Sequence, residues 1–219
     1  MSDEAEQSRI LIIGKANAGK TSILKKICSE TEVPIIRDVN GKPLTETETL
    51  DPMLTHGMYD IENEIIYPSR PGFAFHDSRG IESGSMDKVA EFFSRRAKLS
   101  LKDRVHVAWI CFPLSNAQPL GEAERCMPQL GPNPGESRHP ELSVKTSLML
   151  ATVPAVVVFT EYNGLEATVL NNLRYEGRLS MREAFRAMSD ATEHLFKEQW
   201  LNRIYTSELP KPPFVRLKG

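Results

Sequence analysis

Eight consecutive residues, Gly14-Lys-Ala-Asn-Ala-Gly-Lys-Thr21, constrain this chain more than any other part of it. They fit the pattern G-x-x-x-x-G-K-[ST], in which small residues let successive backbone N–H groups turn around a phosphate at a helix N-terminus. The flanks supply the context that this mechanism demands. Before the loop, Ile10-Leu-Ile-Ile13 is a continuous apolar run of the kind buried on both faces of a parallel sheet. After it, Gly19 to Ser29 carries Ile23, Leu24, Ile27 and Cys28 at helical spacing, an apolar stripe to lay on that sheet. Strand, glycine loop and helix in this order point to an α/β fold. Within the loop, Gly14, Asn17, Ala18 and Gly19 would shape the cradle. Lys20 would neutralise phosphate oxygens, Thr21 would place its hydroxyl on Mg2+, and Ser22 would reach the innermost phosphate.

Downstream, strand and helix signals alternate with two long interruptions. Residues 30–56 are polar, rich in Thr, Pro and Asp, and show no sustained period; connections of this length are as a rule functional or mobile. A second strand is expected over Met58–Tyr67 and a third over Gly72–His76, joined as a hairpin through Pro68-Ser-Arg-Pro71. Val89, Phe92, Phe93, Ala97 and Leu99 mark a helix after Glu82-Ser-Gly-Ser85, and Val105–Phe112 reads as a buried strand with Trp109 and Phe112 in the core. Residues 113–150, dense in Pro, Gly and Asn, read as an insertion with one short helix near Leu120–Leu130. Ala155–Phe159 is the clearest strand. Met181–Ile204 is the clearest helix, with Ala184, Phe185, Met188, Ala191, Leu195 and Phe196 on one apolar face, and a last strand fits Phe214–Leu217. The expected organisation is a disordered tail over 1–8 and one domain over 9–219.

The 219 residues, 40% hydrophobic and 26% charged, suffice for one such domain. A formal charge of −2 offers no general attraction for nucleic acid or anionic lipid, leaving small basic clusters such as Arg95-Arg96 as local contacts. Cys28, Cys111 and Cys126 contain no Cys-x-x-Cys pair, so they frame neither a disulfide scaffold nor a zinc site, and the five histidines are dispersed. There is no signal-peptide pattern, no apolar run of membrane-spanning length, no glycine at position two and no C-terminal prenylation cysteine. Together these features imply a soluble cytoplasmic protein without a membrane anchor or a nucleic-acid partner.

Directly after the Phe73-Ala-Phe75 strand stands Asp77-Ser-Arg-Gly80. With the glycine loop upstream, it resembles the D-x-x-G motif of the Ras-like and Era-like P-loop GTPases. The resemblance implies a three-layer α/β G-domain fold with a mostly parallel sheet and one antiparallel edge strand, here with the last helix missing and the C-terminus truncated. It also implies GTP or GDP as ligand, with Mg2+. Asp77 would reach Mg2+ through water, and the Gly80 N–H would sense the γ-phosphate. In this family a threonine on the preceding loop coordinates Mg2+. Thr55 matches by its interval to Asp77, with Thr45, Thr47 and Thr49 as alternatives. Lys20, Thr55 and Gly80 are thus the catalytic candidates, and Thr21, Thr55 and Asp77 the metal ligands. Asn17 is similar to the loop asparagine of the Era branch, which in several members helps bind K+ beside the phosphates. Thr55-His-Gly57, Asp60-Ile-Glu-Asn-Glu-Ile65 and His76-Asp-Ser-Arg-Gly80 also look like a group of poorly characterised fungal G-domain proteins.

Two departures from the family pattern bear on activity. Ile81 stands where Ras proteins carry a glutamine that orients the attacking water, and its side chain cannot hydrogen-bond water. Hydrolysis would be slow, or would depend on a cation, on Glu82 or on a partner. After the Ala155–Phe159 strand, the [NT]-K-x-D motif that reads guanine is replaced by Thr160-Glu-Tyr-Asn163. An asparagine there leaves one guanine N–H facing another, at a cost of about 1–3 kcal/mol. The C2 carbonyl of xanthine would instead accept from the amide. Thr160, Glu161 and Asn163 are the base-side candidates. Three readings follow. One is a guanine-nucleotide switch presenting loops 30–57 and 78–90 to a protein effector or regulator. The others are a pseudo-GTPase interaction module with weak or altered nucleotide specificity, and an ATP-dependent P-loop enzyme.

Overall fold

The computed structural model describes residues 7–14, 17–28, 31–44, 60–78, 85–114, 153–202 and 212–218. β1 (Ser8–Gly14) carries the Ile10–Ile13 run, begins within the segment read as tail, and ends on the first glycine of the phosphate loop. α1 (Lys20–Ile27) starts on that loop's lysine. There follow β2 (Ile35–Arg37), β3 (Glu64–Ile66), β4 (Phe73–Asp77), α2 (Ser85–Arg96), β5 (Val107–Pro113), β6 (Ala155–Thr160), α3 (Tyr162–Tyr175), α4 (Met181–Phe196) and β7 (Phe214–Arg216). A 3-10 turn over Leu101–Asp103 precedes β5, and α4 runs on into a π turn over Lys197–Leu201. The expected helix near Leu120–Leu130 lies outside the described residues. No described helix is long and apolar enough to cross a membrane.

One seven-stranded sheet takes the strands in the order β2-β3-β4-β1-β5-β6-β7. From β4 to β7 the pairing is parallel, with Leu11 opposite His76 and Ala108, Ile110 opposite Val157, and Val158 opposite Val215. β3 runs against β4, and β2 against β3. The hairpin through Pro68–Pro71 forms as expected, closed by Arg70 N–H to the Tyr67 carbonyl (2.8 Å) and Phe73 N–H to the Arg70 carbonyl (3.1 Å). β3 is the one strand opposed to the rest, and β2 covers its outer side. The sequence reading has no strand at β2, because three residues are too few to register a period; pairing with β3 makes Ile35-Ile-Arg37 extended. β3 itself is shorter than Met58–Tyr67, since Asn63 N–H turns back onto the Asp60 carbonyl (2.9 Å).

The two-residue period of the strands sorts side chains into two faces. Leu11, Ile13 and Ala108 pack on Val89, Phe92 and Phe93 of α2. In register with them, Ile110, Phe112, Val157 and Phe159 meet Leu165 of α3, Phe196 of α4 and Trp200. The other face, with Ile10, Ile12, Phe75, Cys111 and Val158, packs on Ile23 and Leu24 of α1. This is the mostly parallel three-layer α/β arrangement expected from the phosphate loop. α1 covers less of its face than α2, α3 and α4 cover of theirs, since Phe73 and Val215 on it are exposed.

α3 is absent from the sequence reading because only Leu165 and Val169 of it are buried, too narrow a stripe to show as a helix. α4 matches its expected start and is fixed there by a capping box. The Ser180 hydroxyl accepts from Glu183 N–H (3.4 Å) while the Glu183 carboxylate accepts from Ser180 N–H (3.0 Å). Its core face points the expected way but is covered less near the helix start. Thr192 is buried beside Ala184 and Phe196, whereas Phe185, placed on that face by the sequence, is 56% exposed. Phe196→Ala should therefore cost about 3–5 kcal/mol and Phe185→Ser less than about 0.5 kcal/mol, as read by urea unfolding. Equal losses would contradict this packing.

Candidate nucleotide site

The site is built where β1 stops. Gly14 lies so close to β5 that a Cβ on it would stand 2.9 Å from the Cys111 carbonyl oxygen and 3.1 Å from the Ala18 Cβ. Only glycine lets the chain leave the sheet this near its neighbour. Asn17 (φ 62°) and Gly19 (φ 75°) then adopt left-handed backbone, the kind of bend that turns N–H groups of a loop to one side. The first internal bond of α1 runs from Ile23 N–H to the Gly19 carbonyl (2.9 Å). The N–H groups ahead of it point out of the helix start, where the dipole favours an anion. Behind the loop, Thr160 Oγ1 has one proton to give, to the Ala18 carbonyl (3.1 Å) or the Phe112 carbonyl (3.3 Å). Thr160 thus ties the loop to β5 and β6, and its side chain lies 3.3 Å from where a Gly19 Cβ would be.

Charged groups are buried in front of this brace. Lys20 Nζ donates to the Gly14 carbonyl (3.0 Å) across the loop. Burial holds its ammonium below the ordinary lysine range, against the opposing pull of Asp77. Asp77, buried at the end of β4, is pushed up to about 6 by desolvation, which Lys20 opposes. Its Oδ1 and the adjacent Ser78 Oγ are buried with no hydrogen-bond partner among the described residues. Leaving such a group unsatisfied costs about 1–3 kcal/mol, and a water, an ion or a ligand would satisfy it. Thr21 and Ser22 are exposed at the start of α1, so the Thr21 hydroxyl and the Asp77 carboxylate fit the hard oxygen donors that Mg2+ takes. The Cys111 thiol, pushed up to about 12 by burial, is neutral. His76, on the other face of β4, has Nδ1 at 2.9 Å from the Ile61 carbonyl oxygen and its ring 5.0 Å from Phe92. Desolvation, with Arg96 nearby, pushes it down to about 3. It serves as a neutral strut from β4 to the turn before β3.

On the base side, Glu161 (φ 57°) stands at the N-terminal end of α3 without a side-chain capping bond, and Asn163 lies exposed in the helix's first turn. Tyr162 N–H donates to the Leu217 carbonyl (3.0 Å), Lys218 Nζ meets Glu166 at 2.9 and 3.0 Å, and Lys26 Nζ donates to the Lys218 carbonyl (2.9 Å). The structure therefore brings Gly14, Asn17, Ala18, Gly19, Lys20, Thr21, Ser22, Asp77 and Thr160 to one end of the sheet, with Glu161 and Asn163 beyond Thr160. Thr55 and Gly80 lie outside the described residues. Among the described residues no three His, Cys, Asp or Glu side chains group as a separate metal centre. Cys111 as the wall of the loop is missing from the sequence reading; it becomes visible only through the Gly14 to Cys111 register of β1 and β5.

The raised Asp77 value sets the sign of a pH effect. A carboxyl whose folded value lies above its unfolded one supports folding fully below about pH 4, and that support is lost as pH rises through about 6. The ligand-free protein should lose on the order of 3 kcal/mol from this group between those limits. Asp77→Asn, which cannot ionise, should lack that loss. Urea unfolding of both proteins across this range checks it, and parallel curves would contradict a buried ionised carboxylate.

No protein-family model matches the chain, and no curated protein matches it in sequence. Among solved structures it is similar to the crystal structure of a septin GTPase domain from Chlamydomonas reinhardtii, at 15% identity and a TM-score of 0.36. That alignment covers 96% of this chain and 74% of the other.

Proposed function

We propose that the chain is a guanine-nucleotide-binding, GTPase-like switch that holds GTP or GDP with Mg2+ in the cradle from Gly14 to Ser22 and hydrolyses GTP slowly. The observation that carries this reading is the buried pair Lys20 and Asp77, set before a left-handed glycine loop that Thr160 braces from behind. Burying both at one strand end is costly, and such perturbed groups cluster where a ligand is to be met. In this reading the loop N–H groups hold the β-phosphate, Lys20 neutralises β and γ oxygens, Ser22 reaches the α-phosphate and Gly80 senses the γ-phosphate. Mg2+, held by Thr21, Thr55 and, through water, Asp77, would neutralise charge between the β and γ oxygens. Asn17 would help hold K+ beside them. Thr160 positions the loop. Ile81 gives the attacking water no hydrogen bond, so turnover is slow. Residues 30–57, which include β2, and 78–90, which include the start of α2, are the surfaces a protein effector or regulator would read, in the cytoplasm.

Glu161 and Asn163 favour a second reading, a pseudo-GTPase with weak or altered base preference. Titrating fluorescent GDP, GTP, XDP and ATP analogues with Mg2+, in K+ and in Na+ buffer, separates the readings. The expected result is Mg2+-dependent binding of guanine or xanthine nucleotide that Lys20→Ala weakens by about 10- to 100-fold. A preference for ATP, or an affinity indifferent to Lys20→Ala, would overturn the proposal. Asn163→Asp reports on the base. It should move preference from XDP toward GDP by about tenfold or more if the side chain meets the base. An unchanged ratio would make Thr160-Glu-Tyr-Asn163 an ordinary helix start.

A further inference from the structure

Some arginines of this protein are ion-paired within the fold, and others, Arg37, Arg70 and Arg104 among them, have no ion pair among the described residues. Arg9 and Arg96 share Glu64, Arg95 meets Glu62, and Arg216 meets Glu193. Arg95-Arg96, the pair that looks like a basic patch in the sequence, is thus neutralised within the fold. Arg174, Arg178, Arg182 and Arg186, where α3 turns into α4, have no ion pair among the described residues. From Arg174 to Arg186 they face two glutamates, in a chain whose net charge is −2. One of these, Glu183, is tied into the Ser180 cap.

Apolar side chains stand exposed among these arginines. Tyr175 is 73% exposed, with the Arg174 guanidinium 5.4 Å from its ring centre, and Met181 is 46% exposed. Arg182 and Arg186, one turn apart, and Phe185 beside Arg186 are all exposed in the first turns of α4, ahead of the stretch where Thr192 and Phe196 hold the helix to the core. The turn after α2 repeats the pattern, with Leu101 77% exposed beside Lys98, Lys102 and Arg104. α2 and α3 both descend from the C-terminal ends of parallel strands, β4 and β6. Topology therefore places both tips at the pole of the sheet away from the phosphate loop.

We propose that this pole is a docking surface for an anionic lipid bilayer. Cations around exposed Tyr, Met, Phe and Leu on helix ends match an interface with anionic headgroups and an acyl boundary just beneath. Two separated tips of the same chemistry suit an extended surface, whereas one acidic peptide would engage a single tip. Attachment is reversible and falls with salt, and it leaves the phosphate-loop end facing the solution.

Co-sedimentation of the full, nucleotide-free chain with vesicles tests this independently of any nucleotide site. Vesicles of phosphatidylcholine alone are compared with vesicles containing about one third phosphatidylserine, at low and high salt. Binding is expected only to the anionic vesicles and only at low salt. Arg182→Glu with Arg186→Glu should weaken it by about tenfold or more, and Arg182→Gln with Arg186→Gln repeats the test with a gentler change. Lys25→Glu with Lys42→Glu, an equal charge change elsewhere, should leave it nearly intact. Equal losses in the two glutamate doubles, or no binding to anionic vesicles at low salt, would overturn the proposal. Retention on soluble polyglutamate without retention on vesicles would also overturn it, by assigning the pole to an acidic protein.

Discussion

The phosphate loop lies against the sheet at distances that leave no room for a side chain, and the rest of the architecture follows from that fit. Gly14 abuts the Cys111 backbone and Gly19 abuts Thr160, so β1, β5 and β6 must be parallel and in register for the loop to keep its shape. Parallel neighbours cannot be joined by tight turns; they need crossovers, and the crossovers become the covering helices. α1 leaves the loop on one face, while α2, α3 and α4 pack on the other. Thr160, with its hydroxyl on the Ala18 or Phe112 carbonyl, closes the arrangement from behind.

A frame of this kind collects unfavourable terms at one edge. Lys20, Asp77 and Ser78 are buried together at the strand ends, and two of their oxygens have no hydrogen-bond partner among the described residues. The aromatic cluster of Phe112, Phe159, Phe196, Trp200 and Phe214 lies under the opposite half of the sheet and offsets part of that cost. Residues that weaken the fold while gathering charge at one strand end are the expected mark of a functional site. The far pole has a different character. Its arginines from Arg174 to Arg186 have no ion pair among the described residues, and Tyr175 and Phe185 stand exposed beside them.

Much of this was legible in the sequence because it depends on local pattern. The apolar run of β1, the stripe of α1 and the glycine spacing between them lie within a short stretch and locate the cradle before any contact is known. The hairpin into β4 was equally plain, with turn residues between two apolar runs. What escaped depends on partners distant in the chain. β2 is a strand only because β3 lies beside it, and α3 buries too few side chains to show a period. The apolar face of α4 was misjudged at Phe185, since periodicity gives the direction of a stripe but not how far along the helix it is covered. Cys111 and Thr160 looked like core and recognition residues respectively. The register of β1, β5 and β6 makes them the wall and the brace of the loop.

In the proposed function the segment from Ala18 to Thr21 is a preformed anion cradle linked to Asp77. Backbone amide NMR of the isotopically labelled chain, titrated with Mg2+ and GDP, tests it most directly. Saturable shifts are expected at the Ala18, Gly19, Lys20 and Thr21 amides, with matching shifts at Asp77 and Ser78 and little change at the α3–α4 turn. Unperturbed loop amides at saturating ligand, or shifts confined to Arg174–Arg186, would contradict it.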